Sequence, residues 1–520
     1  MEIFSKKNDK NFLKAWRKHY LLLFFLTPFI PIHAQSLLFP ADYFFTVNAQ
    51  RAVMSDTEVI VHTSMQPYLY KELPVDTFRR MKAGVDPFFD KLHYQDLIRL
   101  RHIDKSSGYD RKFNLDINPV LNLAYGISQN DSTHSTMRVN TRGVWIKGEL
   151  GKKFRFESMF IENQAFFPQY LSDYNKATEI VPGQGRWKTF KTDGFDYASA
   201  YGIVNFEASK HLTLRMGHGK QKVGNGYRSL LLSDNSFNYP YLQFIANFFK
   251  NKVQYSQTYA LLMNLIYGSV VTPPGTEPIF QKKAASFQQL SWHTGKYLDV
   301  YFFQGLITQP TDKNNQLKLD PAYANPLIFS NILNYGFNAA SHILAGGGFD
   351  LRPFKKLEVY GQAMYDGAYQ GKANWGLQAG IKYFDALGLK NLFMQAESNS
   401  IFNNYASAAQ TSLYDYSHYN QSLLTPALFA NEIIAMLSYS YKGFFVQLKQ
   451  NFANAAGSSG AVNYFDAKLG YLINPHYNLN VAAGITTRSY LSGVAGAPAQ
   501  EMQMIYLSFR TSLYNLYYDF

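Results

Sequence analysis

The chain has 520 residues, with 50 Lys and Arg against 37 Asp and Glu, no cysteine, and 17% aromatic residues. A chain without cysteine has no disulfides, no thiolate metal ligands and no thiol nucleophile. The mean hydropathy of -0.23 excludes a bundle of membrane helices.

The N-terminus has the pattern of a secretory signal. Basic residues including Lys14 and Arg17 precede an apolar run, 20–32, that is too short to cross a bilayer as a helix. Ala34 follows as a small residue suited to cleavage. The pattern predicts a cleaved signal peptide at 1–34 and export of the rest of the chain.

Residues 35–110 show no clean repeat of strands. Prolines at 74 and 87 and a charged stretch interrupt any sheet pattern. We predict an N-terminal periplasmic or plug segment here, which could contact periplasmic partners.

A different pattern follows. Phe113, Leu115 and Ile117 alternate with Asn114 and Asp116, and this alternation recurs to the C-terminus. A period of two with one apolar and one polar face is typical of half-buried β-strands.

The connections between these strands alternate between short and mostly longer ones. Short turns are predicted at 151–152, 208–210, 250–251, 294–296, 353–355, 386–390, 442–443 and 474–476. Longer connections are predicted at 126–135, 165–194, 219–240, 264–281, 308–338, 367–372, 401–429, 454–460 and 491–500. The count is eighteen strands, of which 241–249 has the weakest pattern.

An even strand number with short turns at one end is typical of outer-membrane barrels. In lipid every backbone polar group must be paired, so such a sheet has to close on itself. We therefore predict an all-β fold, a transmembrane antiparallel β-barrel of about 18 strands, over residues 111–520, located in the outer membrane. Phe520, a terminal aromatic after a strand, resembles the assembly signal of such barrels. A large soluble β-sandwich would explain the alternation, but not the signal peptide, the alternation of short and long connections and the terminal aromatic together.

One stretch, 218–244, interrupts the strand series with a high density of glycine. So much glycine suits close backbone approach or positive φ angles. The glycines are Gly217, Gly219, Gly224 and Gly226.

The same stretch carries cationic, short polar and aromatic side chains. Guanidinium groups bind carboxylates bidentately, and flat aromatic rings can cover the apolar face of a sugar. The candidate binding residues are Lys220, Lys222, Tyr227, Arg228, Asp234 and Asn235. The chemistry predicts either a site for acidic polysaccharide on a segment folded into or over the lumen, or an inward loop that constricts the barrel and binds nothing.

Enzymatic interpretations have little support. His218 precedes Asn225 and Gly226 with no serine between them, and strand periodicity places His218 and Asn225 on opposite faces. No H-E-x-x-H motif is present. We predict no catalytic activity, no cofactor and no metal.

Two motifs resemble a known family. The run 224–235, GNGYRSLLLSDN, is similar to G-x-G-x-x-x-L-x-L-S-D-N of the Wzi-type capsule-assembly barrels, and is closer still to their Bacteroidetes relatives, the gliding-motility RemB-like proteins. The run 418–433 resembles a second family loop, H-Y-x-Q-P-L followed by H-P-L-G-A-N, but has Ser422 and Thr425 where Pro and His are expected.

The resemblance covers roughly residues 110–520 and implies an eighteen-stranded outer-membrane barrel that binds or assembles surface polysaccharide without catalysis. It adds His418 and Tyr419 to the candidate site. The expected partners are surface polysaccharide, outer-membrane lipid and periplasmic or motility-machine proteins, and not nucleic acid. Two alternatives stay open: a structural component of a gliding or secretion machine, and a passive porin.

Overall fold

Because lipid offers no hydrogen bonds, the first and last strands of a membrane sheet must pair with each other. In the computed structural model residues 122–129 of the first strand pair with residues 503–510 of the last in antiparallel register. Eighteen strands close into one antiparallel barrel, and the predicted fold class is confirmed.

The structure describes residues 43–55, 60–68, 97–104, 111–129, 135–151, 153–267, 276, 279–310, 321–337, 342–369, 372–402, 415–425, 429–455, 460–475, 477–493, 499–511 and 515–520. The predicted signal peptide at 1–34 lies outside these residues.

The barrel strands, β1 to β18 in chain order, are Arg111–Gln129, Thr136–Leu150, Phe154–Phe166, Gly194–Glu207, Leu212–Gly219, Tyr239–Phe248, Val253–Tyr267, Phe280–His293, Leu298–Thr308, His342–Phe354, Leu357–Tyr369, Lys372–Phe384, Leu392–Phe402, Phe429–Tyr441, Phe444–Ala455, Ala461–Asn474, Leu479–Leu491 and Gln500–Arg510. The helices, α1 to α4, are Tyr43–Ser55, Gln169–Thr178, Pro321–Ala324 and Ser330–Tyr335. No helix in these described parts is long and apolar enough to cross a bilayer.

Each barrel strand pairs with the next along the chain, and all the predicted short turns fall at the same end of the barrel. We call this the short-turn end, and the opposite one the long-connection end. The turn between β6 and β7 places Lys250 and Asn251 at φ angles of 57° and 66°, which allow a tight reversal. The strand with the weakest sequence pattern is present as β6.

The two faces of the barrel differ as the alternation predicts. In β6 the outward row includes Leu242, Phe244 and Phe248, while Gln243 and Asn247 are buried on the inward row. Large exposed aromatic residues lie near strand ends, as expected for interfacial girdles. Near the short-turn end they include Phe249, Trp292, Tyr297, Phe354, Tyr441 and Phe444, and near the long-connection end Tyr125, Tyr267, Trp375, Phe402 and Phe452.

The interior of the barrel is occupied by the chain itself. Five segments, 43–55, 60–68, 219–238, 415–425 and 515–520, meet there, and we call them the inner layer. Met65 and Gln66 pair with Val223 and Lys222 as a two-residue sheet. Contacts of this kind join distant parts of the sequence inside one ring of strands.

The terminal aromatic does not end a barrel strand, so that expectation is wrong. The last strand, β18, ends at Arg510, and residues 515–520 return to the interior. Phe520 is buried, with its ring centroid 5.9 Å from that of Tyr170 and 4.7 Å from that of Tyr174 on α2. The chain end therefore packs inside the barrel.

Residues 98–104 form a further strand beside the barrel. They pair with residues 111–117 of β1, beyond the part of β1 that pairs with β18. Ile98 and Leu100 remain about half exposed, at 46% and 50%. The predicted division of the chain at residue 110 stays a prediction.

A charge on the lipid-facing row should destabilise the barrel. Leu507 on β18 is 62% exposed and lies between the outward-facing Ile505 and Phe509. We expect Leu507→Arg to lower the free energy of unfolding by about 2–4 kcal/mol, because a cation in the apolar belt loses its hydration. Urea titration in phospholipid vesicles, followed by tryptophan fluorescence, measures the change.

The matched control is Glu501→Arg, on the same outward row one residue from the long-connection end of β18, where a cost of about 0–1 kcal/mol is expected at the interface. Equal effects of the two substitutions would contradict the assignment of the lipid-facing belt.

Candidate functional site

The glycine-rich stretch leaves the barrel wall where β5 ends and continues in the inner layer. A Cβ atom on Gly217 would lie 2.2 Å from the carbonyl oxygen of Gly202 on β4, so the strands approach too closely there for a side chain. Gly224 has a φ of +103°, and a Cβ there would meet Gln362 at 2.0 Å. Glycine is required at both positions because no other residue fits the space or the backbone angle.

An apolar run anchors the segment inside the barrel. Leu230, Leu231 and Leu232 are fully buried and belong to one cluster with Phe287 and Phe303 of the wall. Burial of three leucines stabilises the inward position by several kcal/mol, at about 1.5–3 kcal/mol for each side chain. The segment is therefore packed as a core.

Arg228 lies at the centre of a buried network of charges. Its Nη2 donates to Glu432 at 2.7 Å and to Asp519 at 3.0 Å, and Nε also donates to Glu432. Burial alone would lower the pKa of Arg228, but Asp519 and Glu432 outweigh it and hold the pKa above its ordinary value. Lys449 lies 3.1 Å from the other oxygen of Asp519. Ion pairs thus connect strand β14, the glycine-rich segment and the chain end.

A second carboxylate holds the backbone of the segment. Glu397 on β13 accepts hydrogen bonds from the backbone N–H groups of Tyr227, at 2.6 Å, and Arg228, at 3.0 Å. Tyr360 also donates to Glu397, at 2.7 Å. Charge-assisted bonds of this kind are stronger than neutral ones, and they leave little capacity on this carboxylate for a ligand.

The two lysines of the candidate site also contact the protein. Lys220 Nζ donates to the carbonyl oxygen of Asp234 at 3.2 Å, and Lys222 Nζ to that of Tyr227 at 2.9 Å. Burial lowers the pKa of Lys222, and it lowers the pKa of Lys220 to about 8 despite the nearby Asp234 carboxylate. Asn235 Nδ2 donates to the carbonyl oxygen of Ser422.

The structure thus brings the six predicted residues of the segment together, but it buries them. Five cations in and around the segment, all buried except the partly exposed Lys449, face five carboxylates, which removes the surplus of positive charge expected for binding an anion. The cations are Lys220, Lys222, Arg228, Lys382 and Lys449, and the carboxylates are Asp234, Glu358, Glu397, Glu432 and Asp519. Direct binding of polysaccharide by these residues stays a prediction, and it would require the inner layer to open.

The second motif forms a small hairpin in the inner layer. Residues 417–418 pair with 421–422, and the reversal places Tyr419 and Asn420 at φ angles of 51° and 55°. The backbone N–H of Tyr419 donates to the carbonyl oxygen of Met263 at 2.8 Å. A tyrosine at positive φ is uncommon and costs about 1–3 kcal/mol, so the surrounding contacts have to impose it.

His418 fastens this hairpin to the wall and to the segment. The backbone N–H of Met263 donates to Nδ1 at 3.0 Å, so Nε2 carries the proton and donates to the carbonyl oxygen of Asn238 at 3.0 Å. Burial lowers the pKa of His418 to about 3. This side chain is neutral and structural, and it does not face solvent.

Tyr419 belongs instead to a group of rings at the long-connection end. Phe237 has its ring centroid 5.0 Å from that of Tyr419 and 5.9 Å from that of His218. The guanidinium of Arg186 lies 4.8 Å from the ring centroid of Phe280. Arg186 follows Gly185, where an added Cβ would lie 2.9 Å from the ring of Phe237, so the two groups adjoin. Phe237, Tyr419, His218 and Phe280 are partly exposed and Arg186 is exposed, and we call these five residues the mouth patch.

Sequence reasoning missed several of these residues for identifiable reasons. Glu397 and Glu432 lie on inward rows of ordinary strands, and an acid at such a position is a signal that an internal cation is present. Arg186 follows α2 in a long connection, where nothing in the pattern distinguishes it from a solvated loop cation.

The similarity of this chain to known proteins is a similarity of fold. No protein-family model matches the sequence, and no curated protein sequence matches it. Among solved structures the chain is similar to Wzi of Escherichia coli, an outer-membrane protein involved in group 1 capsule assembly and a carbohydrate-binding β-barrel, with a TM-score of 0.52 and 12% identity over 91% of this chain and 99% of that one. The chain has the fold of an outer-membrane β-barrel.

Two porins are also similar, at lower scores. OccAB2 of Acinetobacter baumannii has a TM-score of 0.42 and 11% identity over 76% of this chain and 97% of its own. A BenF-like porin of Pseudomonas fluorescens Pf-5 has a TM-score of 0.43 and 9% identity over 77% of this chain and 99% of its own. The closer resemblance to gliding-motility proteins stays a prediction.

Removal of the central cation should destabilise the barrel strongly. Arg228→Met leaves Glu432 and Asp519 buried with less compensation, so we expect a loss of about 3–5 kcal/mol in the free energy of unfolding. The same urea titration measures it, with Lys210→Met, at an exposed short turn, as the control. The double variant Arg228→Met with Glu432→Gln should recover part of the loss, because Asp519 still pairs with Lys449. No recovery would contradict the network.

The buried Lys220 should make stability depend on pH. Its pKa is about 8 in the folded protein and 10.5 ordinarily, so the unfolded chain binds the proton more tightly. The contribution of Lys220 to the free energy of unfolding should therefore rise as the pH increases from about 8 to about 10.5. Titrations of the wild type and Lys220→Met across this range should differ in slope, and parallel curves would contradict burial of the amine.

Proposed function

We propose that this protein is a non-enzymatic outer-membrane barrel that binds surface polysaccharide, of the acidic class, at the mouth patch. The observation that carries the proposal is the placement of Tyr419. Its ring is held at the long-connection end by a backbone conformation that is unfavourable for tyrosine. The two-residue turn of the hairpin requires this conformation, and it fixes the ring in one position beside Phe237.

The chemistry of the patch fits a sugar polymer that carries carboxylates. The rings of Phe237 and Tyr419 offer apolar faces to sugar C–H groups. Arg186 offers a guanidinium fork, which binds carboxylates bidentately. In outer-membrane barrels the longer connections face the outside of the cell, where such polymers are found.

The filled interior favours binding over passage. The wall and the inner layer share a cluster of fully buried side chains, including Leu230, Phe303 and Leu344. A passive porin needs a continuous aqueous path, and the inner layer occupies much of the space for one in the described part of the barrel. We therefore rank the porin alternative below polysaccharide binding.

The similarity to Wzi, a carbohydrate-binding barrel, supports a carbohydrate ligand by analogy of fold. Export through a cleaved signal peptide and a role in capsule assembly belong to this proposal. A structural part in a gliding or secretion machine, through residues 35–110, stays an alternative prediction. Deletions in that segment that abolish motility but leave the capsule intact would favour it.

Two substitutions in the mouth patch test the proposal. Tyr419→Asn removes the ring but suits a positive φ angle, so the hairpin should fold. Arg186→Gln removes the guanidinium. We expect each to weaken binding of alginate, an acidic polysaccharide, by about tenfold at 0.15 M salt, roughly the loss of one good contact. Biolayer interferometry on detergent-purified protein gives the affinities.

The control for charge is Lys210→Gln, an exposed lysine at the short-turn end, which should bind alginate like the wild type. Dextran, which is neutral, should bind weakly to all variants. If both mouth-patch variants keep the wild-type affinity for alginate, the proposed site is wrong.

A further inference from the structure

A cavity of about 420 Å³ remains inside the barrel beside the inner layer. It lies between α1 and the chain end on one side and the inner wall of β1, β2 and β12–β18 on the other. Its volume falls within the range of about 300–1,000 Å³ that is usual for small-molecule sites. The mouth patch does not line it.

Aromatic side chains narrow the cavity at the long-connection end. Phe167, Tyr170 and Leu171 line it there, and the ring of Phe167 packs against that of Tyr518 at 5.9 Å. At the opposite end the lining includes Asn478, beside the turn between β16 and β17. Asn478 is partly exposed, so the approach to the cavity is from the short-turn end.

The lining carries more cationic than anionic side chains among the described residues. The cations are Arg51, Lys449, Lys468 and Arg510, and the carboxylates are Asp385 and Asp466. Arg51 pairs with Asp385. Asp466 accepts hydrogen bonds from Thr486 and Tyr506, both at 2.9 Å. Lys449 pairs with Asp519 outside the lining, so Lys468 and Arg510 face Asp466 alone, and this excess of positive charge suits an anionic ligand.

Aromatic rings stand next to these cations. Tyr464 and Tyr506 line the cavity, and the ammonium of Lys449 lies 5.1 Å from the ring centroid of Tyr464. Side chains that can bond hydroxyl groups complete the wall, among them Ser438 and Thr486. Rings for apolar faces, hydroxyl and amide groups for alcohols, and cations for a carboxylate are together the contacts that an acidic sugar requires.

We propose that this cavity is a second binding site, for a small carboxylate-bearing sugar that enters from the short-turn end. By the turn rule of outer-membrane barrels that end faces the periplasm. The site differs from the mouth patch in its residues and in its side of the membrane. It therefore does not depend on polymer binding at the mouth.

The absence of cysteine in the sequence allows a direct test. Ser438→Cys places a single thiol in the cavity, and Ser209→Cys places one on an exposed short turn outside it. The full-length proteins in detergent are treated with N-ethylmaleimide, a neutral thiol reagent, with and without digalacturonate. We expect digalacturonate to slow modification of the cavity thiol at least fivefold and to leave the control thiol unaffected.

Two comparisons decide between binding and general effects. Lactose, a neutral disaccharide, should not protect the thiol, because the cations would have no carboxylate to bind. Adding Lys468→Gln to Ser438→Cys should raise the half-protecting concentration of digalacturonate about tenfold, whereas adding Lys296→Gln, at an exposed turn, should not. Equal protection by lactose, or no protection by either sugar, would overturn the proposal.

A third variant separates this site from the mouth patch. Tyr419→Asn added to Ser438→Cys should leave protection by digalacturonate unchanged. Loss of protection with that variant would show that the sugar acts from the mouth and would overturn the inner site. Loss of alginate binding in the same variant, with protection retained, would leave both proposals standing.

Discussion

The arrangement of this protein depends on the requirement that a charge buried in a barrel be matched by an opposite charge. Arg228 meets Glu432, 204 residues away, and Asp519, 291 residues away. These contacts connect the glycine-rich segment, the wall and the chain end at one point. Because Arg228 has its carboxylate partners on the wall and on the chain end, the inner layer has to form together with the barrel. The close packing of Leu230–Leu232 alone would not specify which groups meet.

The inner layer has a consequence for function, because it separates the two ends of the barrel. On one side the hairpin of His418 carries the partly exposed ring of Tyr419 to the long-connection end. On the other side the same layer leaves a cavity that extends to Asn478. A barrel that divides its interior in this way is suited to hold ligands at its ends. The neutral tautomer of His418 and the paired charges around Arg228 show that the buried polar groups serve to position the layer.

Much of the fold could be predicted because its signals are local. Alternation of apolar and polar residues identifies a strand from about ten positions, and the turn residues identify its ends. The count of eighteen strands followed from these two signals. Phe520 was misplaced for the same reason: an aromatic residue at the end of the chain looks alike whether it ends a strand or packs against Tyr174. The choice depends on contacts with residues more than 300 positions away, which no local pattern contains.

The candidate binding residues show a related limit of prediction from sequence. Lysine and arginine among glycines and aromatic rings indicate that an anion is bound, but the pattern does not say whether the anion is a ligand or a carboxylate of the same chain. Glu432 resolves the question, because it lies on the inward row of β14 beside no charged residue of its own strand. An acid on an inward row needs a cation from elsewhere in the chain. The number of inward-facing acids can therefore be compared with the number of cations on an inserted segment. The difference predicts how much positive charge remains for a ligand. Here the carboxylates around Arg228 leave none.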